Sequence, residues 1–476
     1  MAIQTNATIQ ATPRFQMLRS DQIHAIARAA FDIMGKVGFR MLHPGARDLL
    51  KKAGAIVKDD RVKVPEFIVT GCLATAPKGW TLYSRSGERA LEVTGRNSYF
   101  GTSTASPNTK DALTGEYHPT TVEDLSRAAR IADALANIDW VMPMGSCQDV
   151  PANAADLHEF FATATNTTKP IVFLNYTPRG TELVYEMAAE IAGGLEALQE
   201  RPFLVLYPES ISPLLFPEEV VARMFVAADL WMPQMMGPTI QPGATGPITL
   251  AGGVAQGLAE SLMGLVICQL RKPGCPVGLG CNIGVLDMRR GLLGVGAPEI
   301  SLGLAIQAEV AQHFGLPTWG LAGATDAKVL DAQAGAEAAF NLLAQGQAGL
   351  NLIHDVGYMD MGMACAEVIG MVKRYLRGVQ VSADTLALEI IAKVGPGGNY
   401  LQEMHTCQHF RSELWQPELF TRESYGNWMN TGAKDTEARV REKIMRLLET
   451  HQAPPLPDKI RQSLTAIIAR GEKELA

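Results

Sequence analysis

Eight short apolar runs alternating with longer helical segments predict an α/β fold, a closed (β/α)8 TIM barrel. Three observations carry the prediction. The runs, 98–102, 140–144, 171–175, 203–208, 233–237, 277–281, 318–322 and 350–354, number eight. Their starts lie about thirty to forty-five residues apart, the length of one βα unit. Several are continuously apolar, as in Ile171-Val172-Phe173-Leu174 and Phe203-Leu204-Val205-Leu206, as strands buried on both faces must be. A doubly wound open sheet would carry similar strands; the count of eight favours the barrel.

The elements follow in order. Ser20 and Asp21 cap a helix whose apolar residues Ile23, Ile26, Ala30, Ile33 and Val37 recur at helical spacing, and Gly38 stops it. Pro44 opens a second helix. Alternating pieces at 55–57, 62–64, 80–84 and 90–93 are broken by turns at Asp59-Asp60 and Ser86-Gly87. Residues 1–96 therefore read as a small N-terminal α+β appendage. Residues 97–383 form the barrel, with helices at 122–135, 182–198, 218–230, 254–270, 299–314, 332–343 and 365–376. Residues 384–476 read as a C-terminal helical extension: a helix at 386–394, an irregular stretch rich in Gly, His and Trp at 395–428, a charged helix at 434–450, a break at Pro454, Pro455 and Pro457, and an amphipathic tail. The irregular stretch is suited to cover the barrel or a partner subunit, and a homo-oligomer is the favoured assembly.

Composition excludes several classes. With 47% hydrophobic and 19% charged residues, the chain is neither disordered nor a coiled coil. Forty-two Lys plus Arg against 49 Asp plus Glu give a net charge of −7, which argues against nucleic acid as a partner. Residues 1–20 lack the apolar core of a secretory signal. The apolar stretch 251–270 contains Gln256, Glu260, Ser261 and Gln269 and reads as a packed helix, with no role in a membrane. Seven scattered cysteines without a CxxC read as reduced thiols in a cytoplasmic protein.

In such a barrel the working residues sit at the C-terminal ends of the strands. Those positions hold amides, hydroxyls, a few carboxylates and nearby aromatic rings, but few cations, and this mouth suits a cationic substrate. A quaternary ammonium donates no hydrogen bond, so aromatic faces and diffuse negative charge must hold it, and Tyr176, Tyr207, Trp319 and Tyr358 are available. For any one of these rings, packing against the barrel is the commoner role. Glu209, in Tyr207-Pro208-Glu209-Ser210, is a charge partner or proton handler, or else a salt-bridged loop residue. Gln234, Asn175 and Asn282 either fix a ligand by hydrogen bonds or cap strand ends. His354 and Asp355 end the eighth strand; neighbours alternate between faces, so only one should face the mouth.

His405, Cys407 and His409 offer three zinc ligands, two of them at i, i+4, but no second cluster accompanies them and no metal is expected. The glycine-rich run 243–247 and the pair Gly252-Gly253 lack the spacing of a phosphate-binding loop and are better suited to close backbone packing.

Several separated motifs in one order carry a family resemblance. They are Thr114-Gly115-Glu116-Tyr117 followed by Thr120-Thr121-Val122-Glu123-Asp124-Leu125, Ala244-Thr245-Gly246-Pro247, Thr325-Asp326-Ala327-Lys328 followed by Asp331-Ala332-Gln333-Ala334-Gly335, and Val394-Gly395-Pro396-Gly397-Gly398. With them the chain resembles the trimethylamine methyltransferase (MttB-type) superfamily over roughly residues 14–448. The resemblance implies a barrel enzyme that moves a methyl group from a methylamine-type donor to the Co(I) corrinoid of a separate carrier protein, with no tightly bound cofactor of its own. Trimethylamine enzymes of this kind carry pyrrolysine at the barrel mouth; this chain has only standard residues, and the loop 323–326 is the candidate equivalent position. Members without pyrrolysine are similar to methyltransferases for glycine betaine, proline betaine, carnitine and related quaternary amines, which points away from trimethylamine and towards glycine betaine.

A quaternary ammonium is already an activated methyl donor, because its leaving group is a neutral tertiary amine. The enzyme's task is then to hold nitrogen, methyl carbon and acceptor in line. On this reading Glu209 and Gln234 are catalytic, Tyr176 and Trp319 hold the ammonium with Tyr207 and Tyr358 nearby, and Asn175, His354 and Asp355 complete the substrate site. Carnitine, proline betaine or trimethylamine as donor, a zinc-dependent barrel methyltransferase, and a non-catalytic betaine-binding protein are the competing readings.

Overall fold

The computed structural model describes residues 12–476, so the first part of the segment read for a secretory signal lies outside the described residues. All eight expected runs stand in one ring. The third to sixth strands, Ile171–Phe173, Leu204–Leu206, Gln234–Met236 and Val277–Leu279, form one parallel sheet. The seventh, eighth and first, Trp319–Leu321, Leu352–Val356 and Tyr99–Thr102, form another. Parallel bridges from Gly101 to Trp140, Val141 to Ile171 and Leu279 to Thr318 close the circle, with Trp140 and Val141 in the second position.

The apolar runs are continuous because both faces of each strand are buried. Trp140, Val172, Val205, Met235, Trp319 and Leu352 fill the barrel interior. Their neighbours Ile171, Phe173, Leu204 and Leu206 pack outward under helices. The first helix of the ring, Val122–Ala134, starts at a reciprocal cap in which Thr121 and Asp124 satisfy each other's backbone N–H groups. Helix Leu250–Arg271 is long and apolar enough to cross a membrane, yet 83% of its most apolar window is buried inside the fold. Its glycines explain how: a Cβ on Gly257 would stand 2.0 Å from Cys281 Sγ, so only glycine lets this helix lie so close to the sixth strand.

The elements before residue 97 do not stand apart from the barrel. Strand Phe39–Met41 pairs on one side with Arg61–Lys63 and on the other with Leu215–Phe216, from the loop after the fourth barrel strand. Hairpin Gly79–Tyr83 with Arg89–Thr94 closes the bottom of the barrel, its Leu82, Leu91 and Val93 packing into the interior cluster. In the C-terminal part, the expected helix 386–394 is broken at Ala387 into Ala383–Leu386 and Leu388–Val394. The stretch expected to be irregular contains helices Met404–Glu413 and Tyr425–Asn430. None of these four short helices buries a residue. Helices Thr436–Thr450 and Asp458–Glu474 then pack back onto the outer helices of the barrel.

Candidate active site

Tyr207 and His354, at the C-terminal end of the ring, pack on Trp319, the fully buried first residue of the seventh strand, and the three rings form a wall. Tyr207 stacks on Trp319 with centroids 4.6 Å apart at 28°, and Trp319 lies 4.6 Å from the His354 ring. Trp140 extends the wall inward, 5.4 Å from Trp319. Tyr207 can lie flat because Gly237 has no side chain; a Cβ there would stand 2.2 Å from its ring. The Tyr207 hydroxyl accepts from Asn282 Nδ2 at 2.6 Å and donates to Glu209 Oε1 at 3.1 Å or to the Gly237 carbonyl at 3.2 Å. Thr239 Oγ1 donates to the same Glu209 oxygen at 3.2 Å. Glu209 Oε2 has no hydrogen-bond partner among the described residues, so one oxygen is anchored and the other is available.

Protein surrounds Glu209 on nearly every side while part of its surface stays open to the mouth. Burial raises its pKa above the usual carboxylate range, opposed by the Tyr207 and Thr239 hydroxyls and by Arg223. Burial, with the Glu209 carboxylate beside it, pushes the Tyr207 phenol well above its ordinary value, so it stays protonated. His354 Nδ1 lies 2.8 Å from the Gly320 carbonyl, which can only accept, so Nδ1 carries the proton and Nε2 presents a lone pair. Burial lowers the His354 pKa and keeps the ring neutral.

The strand alternation behind the expectation for His354 and Asp355 does not hold at this point of the eighth strand. The pairing of the eighth strand with the first slips between Ile353 and Val356, and Asp355 has φ +80°. This bulge breaks the two-residue alternation, and the Asp355 charge acts on both the His354 ring and the Tyr207 phenol. Gly323, on the adjacent seventh-strand loop, accommodates the bulge: at φ +96°, a Cβ there would stand 2.8 Å from Val356 Cα. The rest of the loop 323–326 is tied down, with Asp326 accepting from the Val295 and Gly296 N–H groups and Thr325 donating to Glu337 at 2.6 Å.

A second group forms beyond the third strand. Buried Asn175 donates to Asp156 Oδ2 at 3.1 Å, and Tyr176, partly exposed, has its hydroxyl 2.8 Å from Ser146 Oγ. Glu159 Oε1 accepts from the Cys147 N–H at 3.1 Å. Burial raises Asp156 and raises Glu159 to about 7, while the same effect with the Glu159 charge pushes Tyr176 to about 12. Arg223 joins the two groups: it donates to the Asn175 carbonyl, and its charge reaches both Asp156 and Glu209.

Tyr176, expected beside Trp319, stands instead in this second group, and two further expected site residues lie outside both groups. Gln234 is the first residue of its strand, not the last, and points outward, donating to the Met224 carbonyl at 3.1 Å in the helix layer. Its neighbour Met235 takes the inward position. Tyr358 packs with the cluster beneath the outer helices Val122–Ala134 and Met359–Arg377, away from the aromatic wall. Asn282, expected to fix a ligand or cap its strand, lies against the Tyr207 hydroxyl; Thr239 and Arg223 join these groups without having been expected, and Arg223, on the helix after the fourth strand, left no local signal. The His405 and His409 rings lie 4.3 Å apart, but no group of three or more metal-ligating side chains occurs among the described residues.

The fold is a (β/α)8 barrel with candidate polar and aromatic residues gathered at the C-terminal ends of its strands. The family model for trimethylamine methyltransferase (MTTB) matches residues 2–476, and the chain belongs to that family; it is a methyltransferase. It is 29% identical over 476 residues to a glycine betaine methyltransferase of Desulfitobacterium hafniense (strain Y51), covering 98% of this chain and 99% of that protein. It is 30% identical over 464 residues to trimethylamine methyltransferase MttB of Desulfitobacterium hafniense (strain DSM 10664 / DCB-2), covering 95% and 93%. The solved structure of the Methanosarcina barkeri monomethylamine methyltransferase (MtmB) shares the fold, with a TM-score of 0.52, 11% identity, and coverage of 92% of this chain and 88% of that one.

Proposed function

We propose that the protein moves a methyl group from a quaternary amine, glycine betaine foremost, to the Co(I) corrinoid of a separate carrier protein. The observation that carries the donor class is the wall of Tyr207, Trp319 and His354 beside a half-anchored Glu209. Aromatic faces and one carboxylate oxygen hold a cation that cannot donate a hydrogen bond. Neutral His354 adds no competing charge. Arg223 is the cation available to a betaine carboxylate. Buried Asn282 Oδ1, Asn175 Oδ1 and Trp319 Nε1 have no partners among the described residues, which suits a polar ligand.

The corrinoid, when bound, supplies the methyl acceptor; the residues of this chain hold the donor, exclude water from its charged end and fix its direction. Glu209 offsets the ammonium charge and Asp355 adds to the negative field. The chain acts in the cytoplasm as a homo-oligomer: its seven cysteines are unpaired, and the exposed apolar side chains of Leu388, Leu401 and Met404 need a cover.

The test is loss of Co(I) absorbance with purified chain, corrinoid protein and a panel of glycine betaine, carnitine, proline betaine and trimethylamine. Glycine betaine should be demethylated fastest, with dimethylglycine as product. Turnover of trimethylamine alone would overturn the donor class, and binding of glycine betaine without turnover by any Co(I) corrinoid would make the chain a binding protein.

A further inference from the structure

A cavity of about 430 Å³ shares no residue with the aromatic wall at the mouth. Its walls are helix Met359–Arg377 from Met363 to Arg377, residues 134–137 just before the second strand, residues 411–418, and residues 443–447 of helix Thr436–Thr450. The helix after the eighth strand runs from the mouth toward the bottom of the barrel, and residues 134–137 lead into a strand from its bottom end. The cavity therefore lies along the outer helices of the barrel, and none of the residues of the aromatic wall lines it.

Its lining is strongly cationic in a chain of net charge −7. Arg374, Arg377, Arg411, Lys443 and Arg446 face it, against the carboxylates of Glu367 and Glu418. Glu367 is already committed, since its Oε1 accepts three successive backbone N–H groups, from Glu418, Leu419 and Phe420, at 2.8, 3.0 and 3.2 Å. Glu418 is held by Lys443. Arg374 and Arg377 share one neighbouring carboxylate, Glu413, at 3.2 and 3.5 Å. Arg411 and Arg446 have no carboxylate within salt-bridge distance among the described residues. Arg377 Nε is buried with no hydrogen-bond partner, an uncompensated donor that an oxyanion would satisfy. Lys443 and Arg446 also hold the Glu418 carboxyl below its usual range, the sign of a positive local field.

We propose that this cavity binds the phosphoryl group of an organic phosphate. Guanidinium groups match phosphate oxygens in pairs, and several converge here. The volume exceeds what a bare phosphate fills and lies in the range of pockets for small organic ligands, so an organic part accompanies the phosphoryl group. The site is separate from the methyl-transfer mouth and does not depend on which amine reacts there.

Calorimetric titration of the full chain with AMP, inorganic pyrophosphate and citrate tests the proposal. AMP and pyrophosphate should both bind, and Arg377→Met and Arg446→Gln should each weaken them about tenfold or more. Arg446 is exposed, so its variant folds even if Arg377→Met does not; Arg289→Met, on an exposed hairpin elsewhere, should change nothing. Absence of AMP binding at millimolar concentration, whether or not pyrophosphate binds, equal or tighter binding of citrate, or binding unaffected by both variants would overturn it.

Discussion

Tyr207 and Trp319 stack with their centroids 4.6 Å apart, and the Tyr207 hydroxyl lies between Asn282 Nδ2 and Glu209 Oε1. One residue therefore joins the aromatic wall to the carboxylate, and its ring and hydroxyl can be tested apart. Tyr207→Phe keeps the stacking face but leaves Asn282 and Glu209 each short of a partner, at a cost of about 1–3 kcal/mol in stability. Trp319→Leu removes the central ring and should weaken quaternary amine binding more than Tyr207→Phe does. Equal losses in titrations of both variants with glycine betaine would remove the cation–aromatic role of Trp319.

Glu209 must be ionised to offset an ammonium, and burial raises its pKa above the usual carboxylate range. The ionised fraction grows as pH rises through that raised value, so donor affinity should fall on the acid side at a pH where an exposed glutamate, near ~4.3, would still be fully charged. Glu209→Gln should bind the donor more weakly and with a flat profile there. An unchanged acid limb in the variant would assign the titration to another group.

Gln234 sits in the helix layer with a buried, unpartnered Oε1. Gln234→Met preserves volume and removes the orphaned acceptor, so stability should change by less than about 1.5 kcal/mol and methyl transfer should stay near the wild-type rate. A large drop in kcat with unchanged unfolding would return Gln234 to the catalytic group.

The barrel was legible because burial on both strand faces leaves an apolar run that needs no partner to be recognised. The site was legible only as far as strand-end position goes. Tyr207, Glu209 and His354 follow from it, but Gln234 faces the helix layer while its neighbour Met235 takes the interior, and a bulge breaks the alternation at Asp355. Neither is written in local composition. Helix Ala155–Asn166 was not among the expected helices because buried Asp156, Glu159 and Thr163 interrupt its apolar stripe, and those are the polar residues that build the second group. The residues before 97 read as an appendage because their strands are short and alternating; their partner Leu215–Phe216 lies far along the chain.

Gly323 meets two demands at once, a φ of +96° and a backbone neighbour, Val356 Cα, within 2.8 Å of any added Cβ. Gly323→Ala should lower stability by about 1–3 kcal/mol and disturb the His354–Asp355 bulge beside it. Urea unfolding and donor affinity should both worsen. A variant with normal stability and normal affinity would show that the bulge does not depend on this glycine.

Glu159 provides a pH test of the second group. Burial holds its pKa at about 7 in the folded protein, against an ordinary value of 4.5, with Asp156 adding to the rise and the Cys147 N–H and Tyr176 hydroxyl opposing it. The folded state then keeps its proton more tightly than the unfolded chain does. The resulting stabilisation is complete below about 4.5 and is lost as pH climbs through about 7, a change of about 3 kcal/mol. Glu159→Gln keeps an acceptor for the Cys147 N–H and has no such titration. Urea unfolding at pH 5 and pH 8 should therefore show the variant gaining on the wild type at the higher pH. A wild-type-to-variant difference that is the same at both pH values would mean that Glu159 ionises normally in the folded protein.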